Sequence, residues 1–384
     1  MQGVRILPVF VLLVAACLAE PAKEPPPLGQ LPTAVTTAEP EWTPFRVLAG
    51  EAVTADPRER HFGELRQLTS DGSVVAAAWS PDGHRLLILG AAPGSPCTRL
   101  RMLDVRTGQS ELLPPTRGWV GSAVFARGGK PAAMVSFAAD PQQGCPPFEH
   151  TLRAQRFFLP QSDVYSLDLT ARDLEPLITG DAFEGGVTVN PAGTRLVFTS
   201  TRNGDAELYV ARVDGTDLVR ITDAPGYDGG AVFSPDGTKL AWHAERPTAA
   251  DLGTYRERLA AGVVEPGRLG LMLAGADGQH PLVLLDDGLL NMSPTFFPDS
   301  RRILFAANRD AGRQNDDPSF DLYSIDPDGP PTLEGHPALE RVTYDHGFDA
   351  APSWSPDGKL VAFVSSRFAP KPGQTNLFVA RWAD

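Results

Sequence analysis

One five-residue phrase recurs through the chain: Trp79-Ser80-Pro81-Asp82-Gly83, Phe233-Ser234-Pro235-Asp236-Gly237 and Trp354-Ser355-Pro356-Asp357-Gly358. Self-similarity constrains a fold more than composition does, because every copy must become the same supersecondary unit. Looser versions stand between these at Phe125-Ala126-Arg127-Gly128, Val189-Asn190-Pro191-Ala192-Gly193 and Phe296-Phe297-Pro298-Asp299-Ser300, which makes six units. The phrase has a mechanical meaning. Ser opens a type I turn, Pro presets its second position, Asp tolerates the third, and Gly takes the left-handed conformation of a bulged hairpin.

A large apolar residue precedes each turn, and short apolar runs follow it, such as Arg85-Leu86-Leu87-Ile88, Arg195-Leu196-Val197-Phe198 and Lys359-Leu360-Val361-Ala362-Phe363. Runs of this length bounded by turn signals read as strands buried between packed sheets. A third strand comes next, as in Glu207-Leu208-Tyr209-Val210-Ala211, Asp321-Leu322-Tyr323-Ser324-Ile325 and Asn376-Leu377-Phe378-Val379-Ala380. Asp-Gly turns at Asp214-Gly215 and Asp328-Gly329 then lead to fourth strands at Val219-Arg220-Ile221-Thr222 and Glu340-Arg341-Val342-Thr343. Four antiparallel strands per unit define a propeller blade. The sixth unit stops after its third strand, whereas Leu65-Arg66-Gln67-Leu68-Thr69 has fourth-strand character with no third strand before it. The expected fold is therefore all-β, a six-bladed β-propeller of four-stranded antiparallel blades. Its ring is closed by the N-terminal strand completing the last blade, which removes an exposed sheet edge. The propeller is expected over residues 63–384.

The phrase, the Arg-x-x-Thr fourth strands and the six-fold count together resemble the TolB-type propeller, a WD-like repeat family of bacterial envelopes. The resemblance covers Leu65 to Asp384 and concerns the blades. TolB also carries a separate N-terminal α/β domain, and the segment before Gly63 is too short to supply one. Blades two and three depart from the pattern, with Arg127 and Ala192 in place of the Pro or Asp of the turn.

Loops that join consecutive blades share a face with the second-to-third strand loops, and the Ser-Pro-Asp-Gly turns lie opposite. The second-to-third loops swell at 138–161, 246–266 and 307–319. Length variation gathered on one face marks it as the working surface. Within the second insertion, Thr248 and Asp251 resemble an N-cap arrangement, and Leu252, Tyr255 and Leu259 recur at helical spacing before Gly262, so a short helix is expected there. The inter-blade loops contribute Asp181, Phe183, Glu184, Tyr227, Asp228, Asn291, Met292, His346, Phe348 and Asp349. This mix of aromatics and carboxylates suits recognition of a peptide or a cationic partner. In the TolB family this face receives the lipoprotein Pal, so the resemblance implies a comparable envelope-protein partner for a monomeric propeller.

The N-terminus points to export. Arg5 is followed by an apolar run from Ile6 to Ala16, which as a helix would rise about 16 Å, roughly half the hydrocarbon thickness. It reads as a secretory signal. Leu13-Val14-Ala15-Ala16-Cys17 resembles the lipobox of bacterial lipoproteins, which implies lipidation of Cys17 and anchoring in the cell envelope, on the periplasmic side of the outer membrane or at the cell surface. Residues 18–62, with Pro25-Pro26-Pro27 and few large apolar side chains, read as a flexible tether. After export only Cys97 and Cys145 remain, in the same loop of adjacent blades; a disulfide and two free thiols are both open readings.

A formal charge of -13 argues against a nucleic-acid partner, whose binding needs Lys and Arg stripes. No Gly-x-Ser-x-Gly elbow and no His-Glu-x-x-His pattern occurs, the seven His residues are scattered, and no cofactor motif appears. His243 reads as a strand-end residue, and Asp310, Asp316 and Asp317 as an acidic exposed loop. A binding or scaffolding role is therefore expected. The alternative is a channel-mouth hydrolase or lyase acting on glycan, peptide or lactone substrates, with Asp228, His346 and Asp349 around a metal.

Overall fold

The recurring phrase builds its hairpin through side chains as well as backbone. In the computed structural model, the Ser234 hydroxyl donates to Asp236 at 2.5 Å, accepts from the Lys239 amide at 2.9 Å, and leaves Gly237 at φ +73°. Ser80 with Asp82 and Ser355 with Asp357 repeat this arrangement at 2.5 and 2.6 Å. In the degenerate third copy, Asn190 accepts from the Thr194 and Arg195 amides at 2.8 and 3.0 Å and so takes the place of the serine. The structure describes residues 48–72, 74–91, 97–127, 132–139, 145, 156–309, 319–332, 335–369, 371 and 373–383. Cys17, the 1–17 signal, the tether up to residue 47 and Asp310, Asp316 and Asp317 lie outside them.

Among the described residues six antiparallel blade sheets follow one another, five of four strands and one of five, beside a separate two-stranded ribbon. Their innermost strands are Val74–Trp79, Trp119–Phe125, Glu184–Val189, Asp228–Phe233, Asn291–Phe296 and Asp349–Trp354, numbered here as blades one to six. Each has a register shift against its second strand, a bulge near the end that opens on the loop face. Second and third strands are mostly buried in blades three to six, as in Leu360–Ser365 and Asp321–Ile325, whereas the third strands of blades one and two are only partly so.

Ring closure follows the expected route. Phe62–Gln67 pairs antiparallel with Asn376–Trp382 as the fourth strand of blade six. One side chain shows the equivalence: Thr69 accepts from the Leu377 amide at 2.9 Å, as Thr222 accepts from Leu208 and Thr343 from Leu322, each at 2.8 Å. The folded part begins earlier than expected. Residues 48–62 are not tether: Glu51–Val53 adds a fifth strand outside Phe62–Gln67, Leu48 is buried, and Glu59 is 2% exposed. Backbone pairing, the buried Glu59–Arg367 ion pair and the packing of Leu48, Val53, Ala55 and Phe62 on the core hold this segment, and its few apolar residues are too scattered to give a strand pattern.

Candidate functional site

On the loop face, four consecutive blades repeat one polar construction. The first residue of the innermost strand is Glu184, Asp228, Asn291 or Asp349, each essentially inaccessible. Each accepts from an arginine 18 residues later, just beyond the second strand: Arg202 at 2.8 Å, Arg246 at 2.6 Å, Arg309 at 2.9 Å and Arg367 at 2.9 Å. Further donors complete the sites, with Ser200 bonding Glu184 at 3.0 Å and the Trp242 indole bonding Asp228 at 2.7 Å. Burial pushes the Glu184 and Asp228 carboxyls above the usual range, against the pull of their arginines. In blade six, Arg367 also binds Glu59 at 3.0 Å; burial disfavours the cation, but Asp349 and Glu59 outweigh it and raise its pKa.

These pairs change the role of several expected contact residues. Glu184, Asp228, Asn291 and Asp349 do not present carboxylates or amides to a partner; they anchor arginines, of which Arg202 and Arg246 keep 25% and 30% of their side chains accessible. Phe183, Tyr227, Met292 and Phe348 are also buried. A close backbone approach explains two of them. The Phe183 and Tyr227 rings lie over Gly185 and Gly229, where an added Cβ would come within 2.2 and 2.1 Å of the ring or its hydroxyl. Asp181 and His346 are exposed as expected. Phe368, just past the second strand of blade six, is 62% exposed and was not expected. The arginines were legible as a second repeat at fixed distance from the strand-opening acids, whereas nothing local marks Phe368 as exposed.

Two insertions meet over this face. Phe157–Phe158, from the blade-two loop, pairs with Val263–Val264 from the blade-four loop. Phe157 stacks on Tyr227 and on His243, with centroids 5.3 and 5.9 Å apart. His243 is thus packed among rings; among the described residues neither of its nitrogens has a hydrogen-bond partner, and burial pulls its pKa down to about 4. The expected helix is Leu252–Ala260. Thr248 and Asp251 do stand at its start, but they bond each other at 2.6 Å and Asp251 caps no helix amide. Tyr255 fastens the helix to blade three by donating to Asp205 at 2.5 Å.

Beside the helix opens a cleft of about 450 Å³, lined by Glu245, Arg246, Tyr255, Arg258, Glu265 and Arg268 among others. Burial pushes the Glu245 carboxyl up to about 7. At the opposite side of the ring, Cys97 and Cys145 form a disulfide with Cα atoms 5.1 Å apart. It joins blades one and two, whose innermost strands open on Val74 and Trp119 and so lack the strand-opening acid–arginine pair of the other four, although Arg101 pairs with Asp71 at 2.6 Å and Arg172 with Glu111 elsewhere in them. Asp228, His346 and Asp349 do not form a metal cage: the two acids are bound to arginines, and among the described residues no three His, Cys, Asp or Glu side chains gather to hold an ion. Among the described residues no helix is long and apolar enough to cross a membrane.

No family profile matches the chain. Over 97 residues it is 34% identical to the Tol-Pal system protein TolB of Alcanivorax borkumensis, a match covering 25% of this chain and 19% of that protein. The crystal structure of TolB from Acinetobacter baumannii superposes with a TM-score of 0.54 at 16% identity, covering 79% of this chain and 65% of that one. Hydrazine synthase of Kuenenia stuttgartiensis superposes with a TM-score of 0.51 at 14% identity, covering 79% and 82%. At such identities a shared blade architecture does not carry chemistry with it. The likeness read from the repeat recurs in space: the folded body of this chain is a six-bladed β-propeller, similar to the one in TolB.

Proposed function

We propose that this propeller is a protein-binding module of the bacterial envelope, held at a membrane through lipidated Cys17, and that a partner protein docks on its loop face. The observation that carries the reading is the construction of that face. Rigid acid–arginine pairs hold partly accessible guanidinium groups, and Asp181, His346 and the 62% exposed Phe368 stand on the same side. Arginine and aromatic side chains on a preorganised support are what protein interfaces favour. The partial match to a Tol-Pal system protein supports an envelope location and a protein partner. The hydrolase or lyase alternative is weakened because Asp228 and Asp349 are already engaged.

Affinity capture from envelope extract tests this with three baits: the wild-type chain, the face variant D181A/H346A/F368A, and Q109A on the opposite face. The expected outcome is one protein held by wild type and Q109A and lost by the face variant. Equal recovery on all three baits would sink the docking-face reading.

A further inference from the structure

The cleft beside Leu252–Ala260 carries an imbalance that the ring of pairs does not explain. Arg246 is committed to Asp228 at 2.6 Å. Arg258 reaches Glu265 only at 3.5 Å, and Glu265 is also bound by Arg156. Arg268 donates to the Arg246 carbonyl at 3.1 Å and has no carboxylate within ion-pair distance among the described residues. Arg268 therefore lines a recess of about 450 Å³ with no carboxylate at ion-pair distance among the described residues, and beside it Arg258 has only the 3.5 Å contact to a Glu265 that Arg156 shares. That volume is within the range of pockets that hold small ligands or a few residues of a peptide. Of the other ionisable groups there, Asp251 is engaged with Thr248, Tyr255 donates to Asp205, and the half-buried Glu245 lines the recess near enough to feel the charges of both Arg258 and Arg268.

We propose that this cleft is a carboxylate-binding subsite, in which Arg268 and Arg258 take a carboxylate from a partner segment, either an acidic side chain or a chain's C-terminal carboxyl group. Guanidinium groups suit this ligand because their planar donors match both carboxylate oxygens. Glu245 sets the working range. Burial raises its carboxyl to about 7, so below neutrality it is uncharged and can donate, while above neutrality it becomes a competing anion beside Asp251 and Glu265. The inference rests on the docking-face reading only for the source of the carboxylate.

Calorimetric titration of the full chain at mildly acidic pH tests it with three peptides. One is acetyl-pentaalanine with a free C-terminus, one is the same peptide amidated, and one is the amidated peptide with a central Glu. Expected is binding of the first, the third or both, with the fully blocked peptide inert; which one binds identifies the source. Arg268→Gln should weaken binding by about tenfold or more and Arg258→Gln by less, with thermal midpoints unchanged. Glu245→Gln should keep the affinity and flatten its fall between about pH 6 and about pH 8. Binding of the blocked peptide as tight as the others, no binding by either carboxylate peptide at millimolar concentration, or an unaffected Arg268→Gln variant would each overturn the assignment. Loss of carboxylate binding with partner capture intact rejects the cleft alone; the reverse rejects the docking face alone.

Discussion

Buried carboxylates in this molecule fall into two kinds, and the difference lies in what stands opposite. Glu184, Asp228 and Asp349 face arginines, yet each keeps one oxygen without a hydrogen bond. Such pairs fix geometry more than they stabilise, because desolvation offsets much of the attraction. Glu207, 2% exposed, has the Thr222 hydroxyl at 2.5 Å and, among the described residues, no arginine bound to it. Burial pushes it up to about 7, and Glu245 and Asp345 move the same way, to about 7 and about 6. A raised carboxyl binds its proton more tightly in the folded chain, so stability is fullest below the unfolded value near 4.5 and declines as pH rises toward 7. Glu207→Gln should match wild type in melting temperature at about pH 4.5 and exceed it by a few degrees at about pH 8, as thermal denaturation would show. A variant that gains nothing at the higher pH would mean that Glu207 is not held protonated.

At the scale of elements, the loop face is held together by three different devices. Blades three to six use a carboxylate or amide with an arginine, each inside its own blade. Blades one and two use a covalent link between neighbours, Cys97 to Cys145, across 48 residues. Closing a loop of that length in the unfolded chain contributes about 2–4 kcal/mol in the entropic account. The C97S/C145S variant should therefore lose about that much in urea denaturation, and a non-reducing peptide map of wild type should show the two cysteines joined. The ribbon formed by Phe157–Phe158 and Val263–Val264 is a third tie, linking blades two and four over the aromatic cluster of Tyr227 and His243.

For the whole molecule, stability depends on residues at opposite ends of the chain. Phe62–Gln67 closes blade six, and Glu59 with Asp349 encloses Arg367, whose side chain is 3% exposed. A chain beginning at Gly63 keeps most of the closing strand but removes Glu59 and the outer strand Glu51–Val53. Removing one partner from a buried ion-pair network costs about 3–5 kcal/mol, so this chain should melt well below one beginning at Leu48. A chain beginning at Val74 lacks the closing strand altogether and should lose a single cooperative transition in calorimetry. Equal melting of all three would contradict the closure argument.

The turn phrases, apolar strand runs and Arg-x-x-Thr ends were enough to specify the blades, their number and the ring's closure, because these features act locally and repeat. The lengths of the loops at 246–266 and 138–161 likewise marked the elaborated face. Which side chains that face shows was decided in three dimensions. Phe183, Tyr227 and Phe348 have the composition of contact residues, but folding over glycines and against neighbouring blades buries them. Glu184, Asp228 and Asp349 turn inward because each meets an arginine that only the bulged innermost strand and the end of the second strand bring within 3 Å. Glu59 was read as tether for the same reason: its partner Arg367 lies 308 residues away, and only the closed ring brings the two together.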